Sequence, residues 1–383
     1  MWAEAWYTEK IMFEPTRTNQ WKFFLHAHTA WESMLEDCRN ARVSIDMEQY
    51  IFVPDTIGKQ FIAILEQKVR EGVRVRLLCD AAGSYTLYKS AYAKQLIVQG
   101  AEILFFNPIS PWRINNYTSW FFRDHRKVLV VDSHIGHIGG VGVYQQMHDW
   151  RDTNVRIEGS IVHELSAVFD QMWNRTKEGK FFRFSAPFFN AELRNSKPQG
   201  LTKYFYFLTN SPRFHQRFIY HSLIDAIRSA RRHIYLTTPY FVPDLRLLRV
   251  LRLAVRRGVD VRLVVPKTSN HAIVDFAARS YFGIILRAGV RIFLYHDRMM
   301  HAKTVVIDDD WASVGSANLD SLSLLLNYEA NLVCTNRSFV NELKGHCTSD
   351  MESCREIVLS QWKQRSRLQK VFEMLTWPLH KFL

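Results

Sequence analysis

The chain has 383 residues, with 50 Lys and Arg against 37 Asp and Glu, for a formal net charge of +13. At 47% hydrophobic it is too long for one ordinary domain and apolar enough for two cores, which excludes a disordered chain. Its five cysteines are an odd number with no Cys-x-x-Cys pair, so a disulfide framework is excluded and a reducing compartment is expected.

Taken in chain order, the N-terminus lacks a signal-peptide layout, and no apolar stretch reaches the roughly 20 residues of a spanning helix. Membrane contact, if any, is expected to be peripheral. A β-rich run over residues 43–53 ends at Pro54-Asp55. A helical pattern over 57–70 stops at Gly72, where a glycine favours a helix end. A short apolar run over 73–78 follows, then a second helix and another apolar run. Residues 179–213, with Pro187, Pro198, Gly200 and Pro212, read as a connection. The same order then returns: a strand over 233–242, a helix over 245–257 and a strand over 259–265.

The return is visible in the letters. Ile51-Phe-Val-Pro-Asp55 recurs as Tyr240-Phe-Val-Pro-Asp244, and Gly100-Ala-Glu-Ile-Leu-Phe-Phe106 as Gly289-Val-Arg-Ile-Phe-Leu-Tyr295, both at an offset of 189. Repeated strand–helix–strand units predict an α/β fold: two similar repeats, each a mainly parallel mixed sheet flanked by helices, packed as a pseudo-two-fold pair. The expected division is 1–178, a connection over 179–213, 214–360, and a basic amphipathic tail over 361–383. In that tail Leu368, Val371, Phe372 and Leu375 share a helical face, which is expected to pack on its own domain.

Each repeat closes on one triplet spacing, His125-Arg-Lys127-x4-Asp132 and His301-Ala-Lys303-x4-Asp308. Histidine and lysine at i and i+2 of a strand project to one side. Two copies bring two imidazoles and two ammoniums to one point. That set suits a phosphodiester. One imidazole attacks phosphorus, the other protonates the leaving oxygen, and the cations neutralise the nonbridging oxygens. No metal or other cofactor is called for. His134 and His137 lack a third ligand at a suitable spacing.

These motifs, with the turns Gly139-Gly140-Val141-Gly142 and Gly315-Ser316-Ala317-Asn318, resemble the phospholipase D superfamily over residues 43–333. Within it, Trp150-Arg-Asp-Thr-Asn-Val-Arg-Ile-Glu-Gly159 and the run from His301 to Leu332 are similar to bacterial cardiolipin synthases. The resemblance implies a phosphatidyltransferase. A phosphatidyl group would pass from phosphatidylglycerol or a related phospholipid to a phospholipid hydroxyl through a phosphohistidine on His125. His301 would serve as acid and then base, and Lys127, Lys303, Ser316 and Asn318 would hold the phosphate. Glu329 would orient His125, and Asp152 would orient His301, each from the opposite half. Asp132 and Asp308 are expected to hold loops. Gly142 stands where the pattern has Asn. Hydrolysis to phosphatidic acid and nuclease activity are the alternatives.

The first repeat is thirteen residues longer between Asn107 and His125 than the second is between His296 and His301. This aromatic, basic insertion carries Trp112, Trp120, Phe121 and Phe122, which are candidates for lipid contact. With the positive charge, it points to phospholipid substrates and peripheral contact with an anionic membrane rather than nucleic acid. The expected location is the cytoplasmic side of a bacterial cell membrane. The sequence leaves the oligomeric state open.

Overall fold

The computed structural model describes residues 20–108, 122–179, 204–212 and 216–376. Two mixed sheets dominate it. The first runs Gln20–His26, Arg151–Glu158, Ile135–Gly139, Lys127–Val131, Ser44–Gln49, Arg74–Asp80, Glu102–Phe106. The second runs Phe205–Asn210, Glu329–Cys334, Trp311–Gly315, Thr304–Ile307, His233–Thr237, Asp260–Pro266, Arg291–Tyr295, with Cys354–Ile357 added at its edge. Position by position the two orders correspond, so the repeat seen in the letters is a repeat of topology.

Local chemistry sets the elements. The Pro-Asp of each repeat supplies an N-cap. Asp55 accepts from the Gly58 amide at 3.1 Å to open Thr56–Arg70, and Asp244 accepts from the Leu247 amide at 2.9 Å to open Leu245–Arg256. Three neighbouring strands of each sheet are parallel, as crossover helices require. The remaining pairings are antiparallel, which departs from the mainly parallel sheet expected. The reason lies in the turns. Lys127–Val131 and Ile135–Gly139 are joined by only three residues, too few for a crossover, so they must form a hairpin. Thr304–Ile307 and Trp311–Gly315 repeat this.

The expected connection over 179–213 is also too long. Phe205–Asn210 pairs antiparallel with Glu329–Cys334 and is an edge strand of the second sheet. Its alternation is weak, with Tyr206 exposed, and this hid it from pattern reading.

The sheets face each other. Val128, Val130, Val155 and Ile157 of the first meet Val306, Val314, Ala330 and Leu332 of the second in one buried layer. Alternate residues point outward: Leu129 and Val131 go under the helices of the first half, and Val305 and Ile307 under those of the second. Each fully buried Val or Leu contributes roughly 1.5–3 kcal/mol, so this shared layer fixes the halves against each other. The histidines stand at one end of that layer.

Candidate active site

Backbone pairing crosses the interface twice, in the same way. The His125 amide donates to the Tyr328 carbonyl at 2.9 Å, and the Tyr328 amide to Arg123 O at 2.9 Å. The His301 amide donates to the Arg151 carbonyl at 2.7 Å, and the Arg151 amide to Met299 O at 2.9 Å. Each histidine is therefore locked beside the residue that precedes the other half's acid. The carboxylates follow from this register. His125 Nδ1 lies 3.1 and 3.3 Å from the two Glu329 oxygens, and His301 Nδ1 lies 2.6 Å from Asp152 Oδ2. Both acids are fully buried. An acid on Nδ1 fixes the tautomer and leaves Nε2 for chemistry.

The lysines fold back over their own histidines. Lys127 Nζ donates to the His125 carbonyl at 2.7 Å, and Lys303 Nζ lies 3.1 Å from both ring nitrogens of His301. Burial lowers the His125 pKa, and Lys127 lowers it further against the pull of Glu329. Burial, then Lys303, brings His301 down to about 4. Burial likewise lowers Lys127 to about 8 and Lys303 to about 7. Burial pushes the Asp152 carboxyl up, yet His301, Lys303 and the Thr153 amide together hold it below the usual range. The site is thus four crowded, buried basic groups around two acids, and a bound phosphodiester would favour the charged forms of the lysines and histidines.

The turns differ. Ser316 Oγ donates to Glu329 Oε2 and accepts the Ala330 amide at 3.0 Å. Asn318 is buried beside Asp320, and among the described residues its Oδ1 has no hydrogen-bond partner. In the first half Gly140 replaces the serine, and a Cβ there would sit 2.2 Å from Asp152 Oδ1. Gly142 replaces the asparagine, and a Cβ would sit 2.4 Å from the Ile51 side chain. The Asp152 carboxylate thus lies directly against Gly140, leaving no room there for a serine side chain.

Asp132 and Asp308 stand apart from this cluster, at the far ends of the strands, about 20 Å from their histidines at strand rise. Asp132 accepts the Arg42, Val43 and Ser44 amides at 2.8–2.9 Å. Asp308 accepts those of Arg231, Arg232 and His233 at 2.8–3.0 Å. Both have positive φ and pin a turn to the start of the neighbouring strand. His137 is buried and paired with Asp37 at 2.6 Å. Trp112, Trp120 and Phe121 lie outside the described residues; Phe122 is half-buried, and its carbonyl accepts from Asn107 Nδ2 at 2.9 Å.

Two aromatic walls escaped the sequence reading. The Tyr50 ring lies 4.6 Å from the His125 ring, and the Trp150 ring 5.0 Å from that of His301. Tyr50 precedes the repeated string 51–55 and Trp150 heads the string 150–159, and those places were the available signal.

A duplicated fold with reciprocal histidine–acid clamps defines an enzyme of the phospholipase D type. A family model described as "Cardiolipin synthase, PLD-like domain" matches residues 34–173 and 223–351. The cardiolipin synthase of Clostridium perfringens strain SM101 is 31% identical over 370 residues, covering 94% of this chain and 76% of that protein. The major cardiolipin synthase of Bacillus subtilis is 32% identical over 342 residues, covering 88% and 69%. The crystal structure of phosphatidylserine synthase from Haemophilus influenzae Rd KW20 superposes with a TM-score of 0.73 at 14% identity, covering 95% of each chain. The chain belongs to the cardiolipin synthase family and is a phosphatidyltransferase of that type.

Proposed function

We propose that this enzyme moves a phosphatidyl group from phosphatidylglycerol, or a related phospholipid, to the hydroxyl of a second phospholipid through a covalent intermediate on His125. The observation that carries this reading is the reciprocal clamp, in which neither histidine is oriented without the other half. His125 Nε2 attacks phosphorus while Glu329 stabilises the imidazolium that forms. His301 gives its proton to the leaving alkoxide and then takes one from the acceptor hydroxyl, steadied by Asp152. The substrate's negative charge offsets Lys127 and Lys303, so it raises the His301 pKa toward that of an effective acid. Ser316 holds Glu329, and Asn318 with the lysines bears on the nonbridging oxygens.

The halves divide at the segment between Val162–Lys177 and Phe205–Asn210, with the C-terminal helices belonging to the second. The enzyme works at an anionic bilayer from the cytoplasmic side. No helix among the described residues is long and apolar enough to cross a membrane. Arg367–Thr376 supports surface contact. It turns Glu373 inward to Arg365, and leaves Leu368 72%, Met374 66% and Leu375 62% exposed beside Arg367 and Lys370. Phe372 does stack on Phe276 at 5.2 Å, so the helix is seated as well as apolar outward.

The test is incubation of purified protein with labelled phosphatidylglycerol, phosphatidylethanolamine and single-stranded DNA in parallel. Cardiolipin from the lipids, with DNA untouched, is the expected result. Cleaved DNA, or phosphatidic acid as the main lipid product, overturns it.

A further inference from the structure

An open pocket of about 460 Å³ lies outside the histidine–lysine cluster and is bordered by Trp150, Lys267, Ser269, Asn270, His296 and Arg298. It meets the catalytic centre through Trp150. Trp150 is both its wall and the ring against His301, at 5.0 Å. Asn270 accepts from the Tyr240 hydroxyl, on the strand Phe241–Val242 side of the cleft that pairs with Leu319–Asp320 just after Asn318. The pocket therefore opens from the His301 side of the site, one indole away from the group that handles the acceptor hydroxyl.

Its charge is unbalanced. Among the described residues neither the Lys267 ammonium nor the Arg298 guanidinium has an ion pair or a hydrogen bond from its charged end. Both are exposed on the rim, with the Ser269 hydroxyl and Asn270 amide between strand and helix below. Asp149, the acid whose charge bears on Arg298, is already paired with His148 at 2.8 Å. Two unpaired cations beside the Asn270 amide make a receptor for a phosphate monoanion, the Ser269 hydroxyl being turned to the His271 carbonyl at 3.3 Å.

We propose that this pocket holds the acceptor lipid's own phosphodiester, which is not cut, and so selects a phospholipid over a small alcohol or water. The inference rests on the transferase reading above. It assigns the phosphatidyl donor to the His125 side and the acceptor headgroup to the His301 side. A glycerol headgroup has its free hydroxyl and its phosphate at opposite ends of three carbons. The proposal requires the phosphate to sit between Lys267 and Arg298 while the hydroxyl passes Trp150 to reach His301 Nε2.

The experiment holds one fluorescent phospholipid donor constant and varies the acceptor: phosphatidylglycerol in mixed micelles, or labelled glycerol. Lys267→Ala with Arg298→Ala is expected to raise KM for phosphatidylglycerol as acceptor by about tenfold or more, the size of one lost charge-assisted contact. The glycerol exchange rate should stay within about twofold, and Lys267→Arg alone should keep most of the affinity for the lipid acceptor. If both reactions fall together, or neither changes, the pocket is not an acceptor site. Inorganic phosphate is the further arm: a change in glycerol exchange that phosphate causes and the double variant abolishes makes free phosphate the ligand and overturns the proposal. A wild-type protein that transfers to neither acceptor contradicts the underlying reading instead.

Discussion

The two halves share a skeleton and differ in what lies beneath it. Below His125 the first half buries a charged bed. Arg123 holds Asp80 by a bidentate pair at 2.7–2.9 Å, and Asp80 also takes the Asp124 amide at 3.0 Å. Glu48 and Asp124 share this space with the buried Arg126, and burial pushes the Glu48 carboxyl well up and that of Asp124 to about 6. The equivalent positions below His301 are Thr237, Pro266, Met299, Met300 and Ala302, an apolar or neutral set. The second half instead carries its polarity above, in Ser316 and Asn318, where the first has Gly140 and Gly142. Duplication preserved the clamp, which needs both copies. The surroundings differ, and under the proposed mechanism the charged bed of the first half would support the nucleophile while the polar turn of the second would hold phosphate.

The clamp should break symmetrically. Glu329→Gln and Asp152→Asn are each expected to cut kcat by about 10²- to 10⁴-fold with the fold intact, as when an orienting acid loses its charge. A loss confined to one of them, in steady-state transfer assays, would mean that the two histidines are not held alike.

The turns should break asymmetrically. Asn318→Ala is expected to lower kcat by about 10²-fold, the effect of removing one donor to a developing oxyanion. Gly142→Asn should not supply a second donor. Its Cβ meets Ile51, and overpacking of this kind costs about 1–3 kcal/mol, read as a lower midpoint in denaturant.

The charged bed should matter to stability in one half alone. Arg123→Met copies Met299 of the second half but strands Asp80 without its cation. The expected loss is about 3–5 kcal/mol in chemical denaturation. The conservative Met299→Leu should cost under about 1.5 kcal/mol.

The smallest effect is in pH. Folded His301 stays neutral down to about 4, whereas the unfolded side chain takes its proton near 6.5. Between those values the unfolded state binds more protons, so this histidine makes stability fall as pH falls. His301→Gln should flatten that slope by up to about 1.4 kcal/mol per pH unit, checked by denaturation at pH 7, 6 and 5.

The sequence revealed the histidines, lysines and glycine turns because a strand's two-residue period and a repeated motif are written locally, whereas the roles of Asp152 and Glu329 came from the family resemblance. Asp132 and Asp308 belong to the same signature, but spacing alone does not tell a cap from a ligand; that depends on which amides the turn meets. The antiparallel half of each sheet was legible in principle from the short Asp132-Ser133-His134 link. The pair Arg123–Asp80 depends on a contact between segments far apart in the chain, for which no local pattern exists.

In the proposed mechanism one site, built from both halves, works through a covalent phosphohistidine on the first. Purified enzyme mixed with excess phosphatidylglycerol, quenched in alkali within a turnover and digested, can be read by mass spectrometry. A phosphatidyl adduct is expected on the peptide containing His125, formed also by His301→Ala when the donor has an activated leaving group. An adduct on His301, or turnover with no adduct on either peptide, would contradict it.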